Sequence, residues 1–190
     1  MSVTLSQGIE AGLEQTRKQA STNNQHDAAV VSRTNQVEVV PAGTGRTYKS
    51  PVDQVTFLLT GEQTDGAYFM LEAIVPPGCG NPPHIHGRED ETFYIQQGTL
   101  TVHVGDKTLN ASAGDVVKLP RGLVHCFQNN GDMDVKVLAV IEPAGFEKFF
   151  EEAFFPAADW PDAMPPMSDE FMARVSKAAA KCGLSFLHSA

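Results

Sequence analysis

His84 and His86 are separated by one residue, and Glu91 follows them at the start of an alternating apolar run. Because residues i and i+2 of a strand point to the same face, the two imidazoles can aim at one point. Imidazole and carboxylate groups are ligands that divalent transition metals accept. The spacing therefore predicts a metal site around this stretch, with the remaining ligands supplied from elsewhere in the chain.

Strand register decides which carboxylate accompanies the histidines. Glu91 lies at an odd spacing from them, so a turn or bulge must reset the register before it. Beyond that turn, Glu91 shares a strand face with Phe93 and Ile95. A carboxylate buried among such residues is costly unless it is paired or bound to a metal. We therefore prefer Glu91 as a ligand over Glu89 and Asp90, which we place in the turn.

A third histidine, His125, shares a predicted strand face with Leu123 and Phe127. The glycine and proline residues before it predict tight turns. A single histidine in an apolar stripe is more often a hydrogen-bonded core residue than a ligand. The local pattern alone leaves both interpretations of His125 open.

The same residues fall into two longer spaced patterns. Gly78-x5-His84-x-His86-x4-Glu91-x6-Gly98 resembles the first cupin motif, and Gly114-x5-Pro120-x-Gly122-x2-His125-x3-Asn129 resembles the second. The spacer between the two patterns is similar in length to the short intermotif loop of microbial cupins. The resemblance directly covers residues 78–129, and more loosely residues 45–145.

The resemblance implies a small β-barrel of jelly-roll type with one divalent metal inside it. The residues that match the ligands of the family are His84, His86, Glu91 and His125. Three imidazoles and one carboxylate leave one or two positions open on a five- or six-coordinate ion, which permits substrate or O2 chemistry. The ion could be Fe, Ni, Mn, Co, Cu or Zn, because relative affinity does not identify the native metal.

The rest of the chain supplies the elements that would position this site. Short apolar runs punctuated by Gly, Pro, Asn and Asp predict an all-β barrel over residues 36–145. We interpret residues 1–35 as an N-terminal arm or frayed helix, because their amphipathic pattern is weak. Residues 146–190 predict a C-terminal helical extension, with a phenylalanine stripe first and a later helix that begins at Ser168 and ends at Gly183.

Composition narrows the classes of partner. The chain has 190 residues, and 14 basic against 23 acidic residues give a net charge of −9. This balance disfavours nucleic acids and anionic membrane surfaces, which bind clusters of Lys and Arg. The three cysteines form no C-x-x-C pair, and we recognise neither a signal peptide nor an apolar run of membrane-spanning length. We therefore expect a cytoplasmic protein.

The C-terminal segment is similar to the tail of small bacterial cupins of the quercetin 2,3-dioxygenase type. This resemblance implies a metal-dependent dioxygenase that acts with O2 on a flavonol or another enolisable or hydroxylated aromatic molecule. Glu91, on swinging partly free of the metal, would act as the general base on the substrate hydroxyl group. We expect an apolar substrate pocket lined by Phe93, Ile95, Phe127, Phe57, Phe69 and Leu71.

Two other functions remain open at this point. The same ligands would serve a metal-assisted isomerase, lyase or hydrolase, and activity without O2 would favour that class. A non-catalytic cupin that binds or senses a small molecule is the third alternative, because a fold does not determine a function. Whatever the activity, the apolar barrel face, the arm and the appended helices predict a homodimer formed by strand exchange.

Overall fold

A computed structural model of the chain describes residues 37–161 and 168–187. Within these ranges it contains twelve strands and two α-helices. None of the helices in these two ranges is long and apolar enough to cross a bilayer. The predicted N-terminal arm, residues 1–35, lies outside the described residues.

The strands are two to eight residues long, as the frequent turn residues predict. They are β1 (Thr47–Lys49), β2 (Gln54–Leu59), β3 (Phe69–Val75), β4 (His84–His86), β5 (Asp90–Gln97), β6 (Thr99–Val104), β7 (Lys107–Ser112), β8 (Val116–Leu119), β9 (His125–Gln128), β10 (Val135–Glu142), β11 (Phe155–Pro156) and β12 (Leu184–Phe186). The helices are α1 (Glu147–Ala153) and α2 (Asp169–Cys182), with a 3₁₀ turn at Ala157–Asp159.

The strands form two antiparallel sheets. The larger has the order β11-β1-β2-β3-β10-β5-β8, and the smaller has the order β12-β4-β9-β6-β7. Non-consecutive neighbours such as β3 and β10 show that the chain crosses between distant strands, as it does in a jelly-roll sandwich. The predicted class, mainly β with jelly-roll architecture and C-terminal helices, is confirmed.

The core lies between the two sheets and beneath the helices. In β3 every second residue is buried, from Phe69 to Val75, and in β10 the same alternation runs from Val135 to Ile141. The two strands are in register, so their buried residues stand opposite each other. Burying one large apolar side chain stabilises a fold by about 1.5–3 kcal/mol, which explains why the alternating pattern sets the register.

Helix α2 begins and ends where the sequence predicts. The Ser168 hydroxyl accepts a hydrogen bond from the backbone N–H of Phe171, at 3.2 Å, and so caps the first turn. Gly183 ends the helix in the left-handed conformation, with φ of 73°, which glycine adopts without the steric cost of a Cβ atom. The buried face of α2 packs against α1, whose own buried residues are Phe149, Phe150 and Ala153.

The C-terminal segment also contributes two short strands that the sequence pattern did not predict. β11 pairs with β1 at one edge of the larger sheet. β12 pairs with β4, so Leu184 stands opposite His86 and Phe186 stands opposite His84. The segment therefore forms part of the wall beside the two histidines.

Candidate metal centre

Four buried side chains from three strands meet between the sheets. β4 carries His84 and His86 on its buried face, β5 carries Glu91 and β9 carries His125. His84 and His125 are direct register partners, whereas Glu91 reaches the group from the opposite sheet. One ligand atom from each residue lies within 4.8 Å of the others. This set, here called the His–Glu group, could hold a metal ion.

Backbone carbonyl groups orient two of the three imidazoles. His84 donates from Nδ1 to the carbonyl oxygen of Pro82 at 2.9 Å, and His125 donates from Nδ1 to the carbonyl oxygen of Leu123 at 3.0 Å. A proton held at Nδ1 leaves Nε2 as the ligand atom. The donor set therefore fits a divalent transition metal, because imidazole nitrogens and one carboxylate converge with their orientation already fixed.

Burial keeps His84 neutral at physiological pH. Desolvation, aided by repulsion from His125, lowers the pKa of His84 from 6.5 to about 4. A neutral imidazole is the form that binds a metal, so this residue needs no deprotonation before binding.

Glu91 and His125 form an ion pair within the group. His125 Nε2 donates to Glu91 Oε2 at 3.0 Å, and His86 Nε2 lies 3.4 Å from the same oxygen. Burial alone would raise the pKa of Glu91, but the bond from His125 and the neighbouring imidazoles lower it overall. Burial would lower the pKa of His125, but Glu91 raises it overall. A bound metal would take the place of the His125 proton.

Glu89 adds a buried carboxylate beside the group. Its side chain is 1% exposed, and Oε2 lies 3.7 Å from Nδ1 of His86. Neither atom has a hydrogen-bond partner among the described residues. The sequence predicted a turn at Glu89 but gave no indication that its side chain is buried. The loop is covered because Gly87 donates from its backbone N–H to the carbonyl oxygen of Gly183, far away in sequence.

An ion pair ties the start of β5 to the turn before β9. The Arg121 backbone N–H and Nε donate to Asp90 Oδ1 at 2.8 and 3.1 Å, and Nη2 donates to Oδ2 at 3.1 Å. These bonds lower the pKa of Asp90 to about 2. Because Asp90 precedes Glu91 and Arg121 precedes His125, the pair helps to fix the two ligands relative to each other.

A mainly apolar cavity opens on the His–Glu group. The volume open to the centre of a water molecule is about 120 Å³. Of the six predicted pocket residues, Leu71, Phe93 and Phe127 line this cavity. The other three, Phe57, Phe69 and Ile95, are buried in the core away from it.

The C-terminal segment lines the cavity as well. Phe146 packs edge-on against the His86 ring with 4.5 Å between ring centroids, and Phe186 lies 6.2 Å from the His84 ring. Met172 of α2 also faces the cavity. The phenylalanine stripe predicted a helix packed on the barrel, but no pattern in it indicated contact with the histidines.

Comparison with known proteins places these observations in a family. Residues 71–141 match the model of the cupin domain. Germin-like protein 5-1 of Oryza sativa subsp. japonica is 46% identical over 68 residues, which cover 33% of this chain and 31% of that protein. Quercetin 2,3-dioxygenase of Aspergillus japonicus is 34% identical over 101 residues, 50% of this chain and 29% of that enzyme. This chain contains a cupin domain.

Among solved structures, the chain is similar to a predicted oxalate decarboxylase from Thermotoga maritima. The two are 28% identical with a TM-score of 0.52, over 56% of this chain and 99% of the other. In contrast, the matches to the germin-like protein and the quercetin dioxygenase span only about 30% of those proteins. All four members of the His–Glu group fall inside the matched residues 71–141, whereas the C-terminal wall of the cavity lies outside them.

Proposed function

We propose that this cupin is a metal-dependent dioxygenase that acts on a flavonol or another enolisable or hydroxylated aromatic molecule. The observation that supports it most is the His–Glu group, which is buried yet opens on an apolar cavity with aromatic walls. Similarity to quercetin 2,3-dioxygenase over half of the chain points to the same reaction class.

His84, His86, Glu91 and His125 would hold one divalent transition metal in this proposal. A bound Fe, Ni, Mn, Co or Cu ion would supply Lewis-acid chemistry toward a substrate oxygen and redox chemistry toward O2, whereas Zn would supply the former alone. The four residues leave at least one position of a five- or six-coordinate ion for the substrate. The orientation of His84 and His125 by backbone carbonyl groups means that little rearrangement is needed to bind the ion.

Glu91 is the candidate general base. Its carboxylate is ionised at neutral pH, because the neighbouring imidazoles lower its pKa. In this state the carboxylate oxygen that is not bound to the metal can accept the proton of a substrate hydroxyl group. Its burial also keeps bulk water away from the proton that it receives.

The cavity walls favour an apolar substrate. Phe93 and Phe127 pack edge to face, 6.1 Å apart, and both line the cavity. Among the described lining residues there is no Lys or Arg. A small dianion such as oxalate would find no cationic partner there apart from the metal, so we favour an aromatic substrate over an oxalate-like one.

Oxygen uptake with quercetin tests the proposal. Protein reconstituted separately with Fe, Ni, Mn, Co or Cu is expected to consume O2 together with quercetin for at least one metal. His84→Ala should abolish the uptake of O2. His103→Ala is the matched control, because His103 lies on β6 outside the His–Glu group and its Nδ1 shares a hydrogen bond with the Thr108 hydroxyl. If no metal supports O2 uptake that depends on quercetin, the flavonol version of the proposal is wrong. Turnover without O2 would favour an isomerase or lyase.

A homodimer and a cytoplasmic location remain predictions from the sequence. Size-exclusion chromatography with light scattering at micromolar concentration tests the first. A dimer mass is expected, and a monomer mass would refute it.

A further inference from the structure

Asp53 and Ser50 line the same cavity as the His–Glu group. They belong to the turn between β1 and β2, so they lie outside the region of the cupin match. The Ser50 side chain is 6% exposed, whereas Asp53 is half-buried. A carboxyl group is unexpected in this wall, because most of the other lining residues are apolar.

Strand register places Asp53 and the His–Glu group at different levels of the larger sheet. Glu91 stands opposite Ile141, which in turn stands opposite Phe69 of β3. Asp53 is followed by Gln54, which stands opposite Ile74 of the same strand. The distance from Phe69 to Ile74 along β3 is about 16 Å at the usual rise per residue.

Apolar side chains of both sheets line the space between these two levels. They are Val55, Leu71, Ala73, Phe93, Leu100, Phe127, Val137 and Ala139. The cavity is therefore polar at the His–Glu group and at the turn, and mainly apolar in between, where Asn81 is a further polar lining residue.

The turn uses only part of the hydrogen-bonding capacity of Asp53. The Ser50 hydroxyl donates to Asp53 Oδ1, while the backbone N–H groups of Val52 and Asp53 each donate to Ser50 Oγ at 3.1 Å. No hydrogen bond from a described residue reaches the second carboxyl oxygen, Oδ2. Burial raises the pKa of Asp53 to about 6, so the carboxylate is ionised above neutral pH.

We propose that the Ser50–Asp53 turn is a second binding subsite, in which Asp53 Oδ2 accepts a hydrogen bond from the substrate. The substrate class is a largely apolar molecule with a metal-binding oxygen at one end and a hydroxyl or similar donor at the other. Ser50 holds the carboxylate in place and leaves one oxygen free for the ligand. This inference rests on the proposed function only in that the His–Glu group binds a metal and one end of the ligand.

Two matched chelating probes test the subsite without any need for turnover. Octanohydroxamic acid and its ω-hydroxy derivative bind a metal through the same hydroxamate and differ only at the far end. Calorimetric titration at pH 8 measures the affinity of nickel-loaded protein for each probe. We expect the protein to bind the hydroxylated probe about tenfold more tightly than octanohydroxamic acid. In Asp53→Asn this preference should fall below about threefold, because the neutral amide offers no carboxylate acceptor.

Asp106→Asn is the matched control variant, since it removes an exposed carboxylate between β6 and β7 that does not line the cavity. It should retain the full preference, and circular dichroism confirms that each variant is folded. Equal affinity of wild-type protein for the two probes, or an unchanged preference in folded Asp53→Asn, overturns the subsite. Tight probe binding without quercetin oxidation would show that the proposed reaction is wrong and the subsite correct. Failure of the subsite and failure of the proposed reaction are therefore distinguishable.

Discussion

Glu89 Oε2 lies 3.7 Å from Nδ1 of His86, and both atoms are buried without a hydrogen-bond partner among the described residues. The other two imidazoles of the group donate from Nδ1 to backbone carbonyl groups. Glu89 is therefore the residue in position to orient the third imidazole, with a carboxylate in place of a carbonyl. A carboxylate that accepts from the outer nitrogen of a histidine ligand also makes that ligand more basic.

Glu89→Gln is expected to weaken metal binding by about 10- to 100-fold, because the neutral amide polarises the imidazole less than a carboxylate does. Competition titration with a chromogenic chelator measures this change. Glu62→Gln is the control, since Glu62 is an exposed residue away from the site. An affinity equal to that of the wild-type protein would show that Glu89 does not orient His86.

Asp53 predicts a pH-dependent difference in stability. Its pKa is about 6 in the folded protein and 3.8 in the reference state, so the folded state binds more protons between these values. Stability contributed by Asp53 is thus present below pH 4 and lost as the pH rises through 6. Relative to wild-type protein, Asp53→Asn should gain unfolding free energy between pH 4 and pH 7, by at most about 3 kcal/mol.

Urea denaturation of both metal-free proteins at several pH values measures this difference. A constant offset between Asp53→Asn and wild-type protein across the range would mean that the carboxyl group titrates normally.

Phe146→Ala tests the contact between the C-terminal segment and the site. Phe146 is 4% exposed and packs on His86, so truncation leaves a cavity and should cost about 3–5 kcal/mol of unfolding free energy. Thermal and urea unfolding measure this loss. Leu109→Ala is the control, because Leu109 is 49% exposed and should change stability by less than about 0.5 kcal/mol. Equal effects of the two substitutions would argue against a packed C-terminal wall.

The parts of the fold that local patterns determine were predictable from the sequence. Alternating apolar residues predicted the longer strands. Ser168 and Gly183 marked the ends of α2, because capping depends on neighbouring residues alone. The spacing of the two motifs indicated the four members of the His–Glu group, which the structure brings together.

Features that depend on contacts between distant segments were not predictable. β12 has three residues, too few for a periodic signal, and it forms by pairing with β4 far away in the chain. The loop that carries Glu89 is bonded to the C-terminal segment, which is distant in sequence. Asp53 lines the cavity because the turn between β1 and β2 lies at the cavity wall. Neither residue has a neighbour in sequence that signals its surroundings.

Elemental analysis of the purified protein tests the proposed metal site most directly. After exhaustive dialysis, wild-type protein and His103→Ala are each expected to retain about one transition-metal ion per chain, while His84→Ala and His125→Ala should retain less than about a tenth of that amount. Circular dichroism checks that the depleted variants are folded. Two results would contradict a metal centre at the His–Glu group. One is wild-type protein that holds no metal after growth and reconstitution with Fe, Ni, Mn, Co, Cu and Zn. The other is folded His84→Ala and His125→Ala protein with the metal content of the wild type.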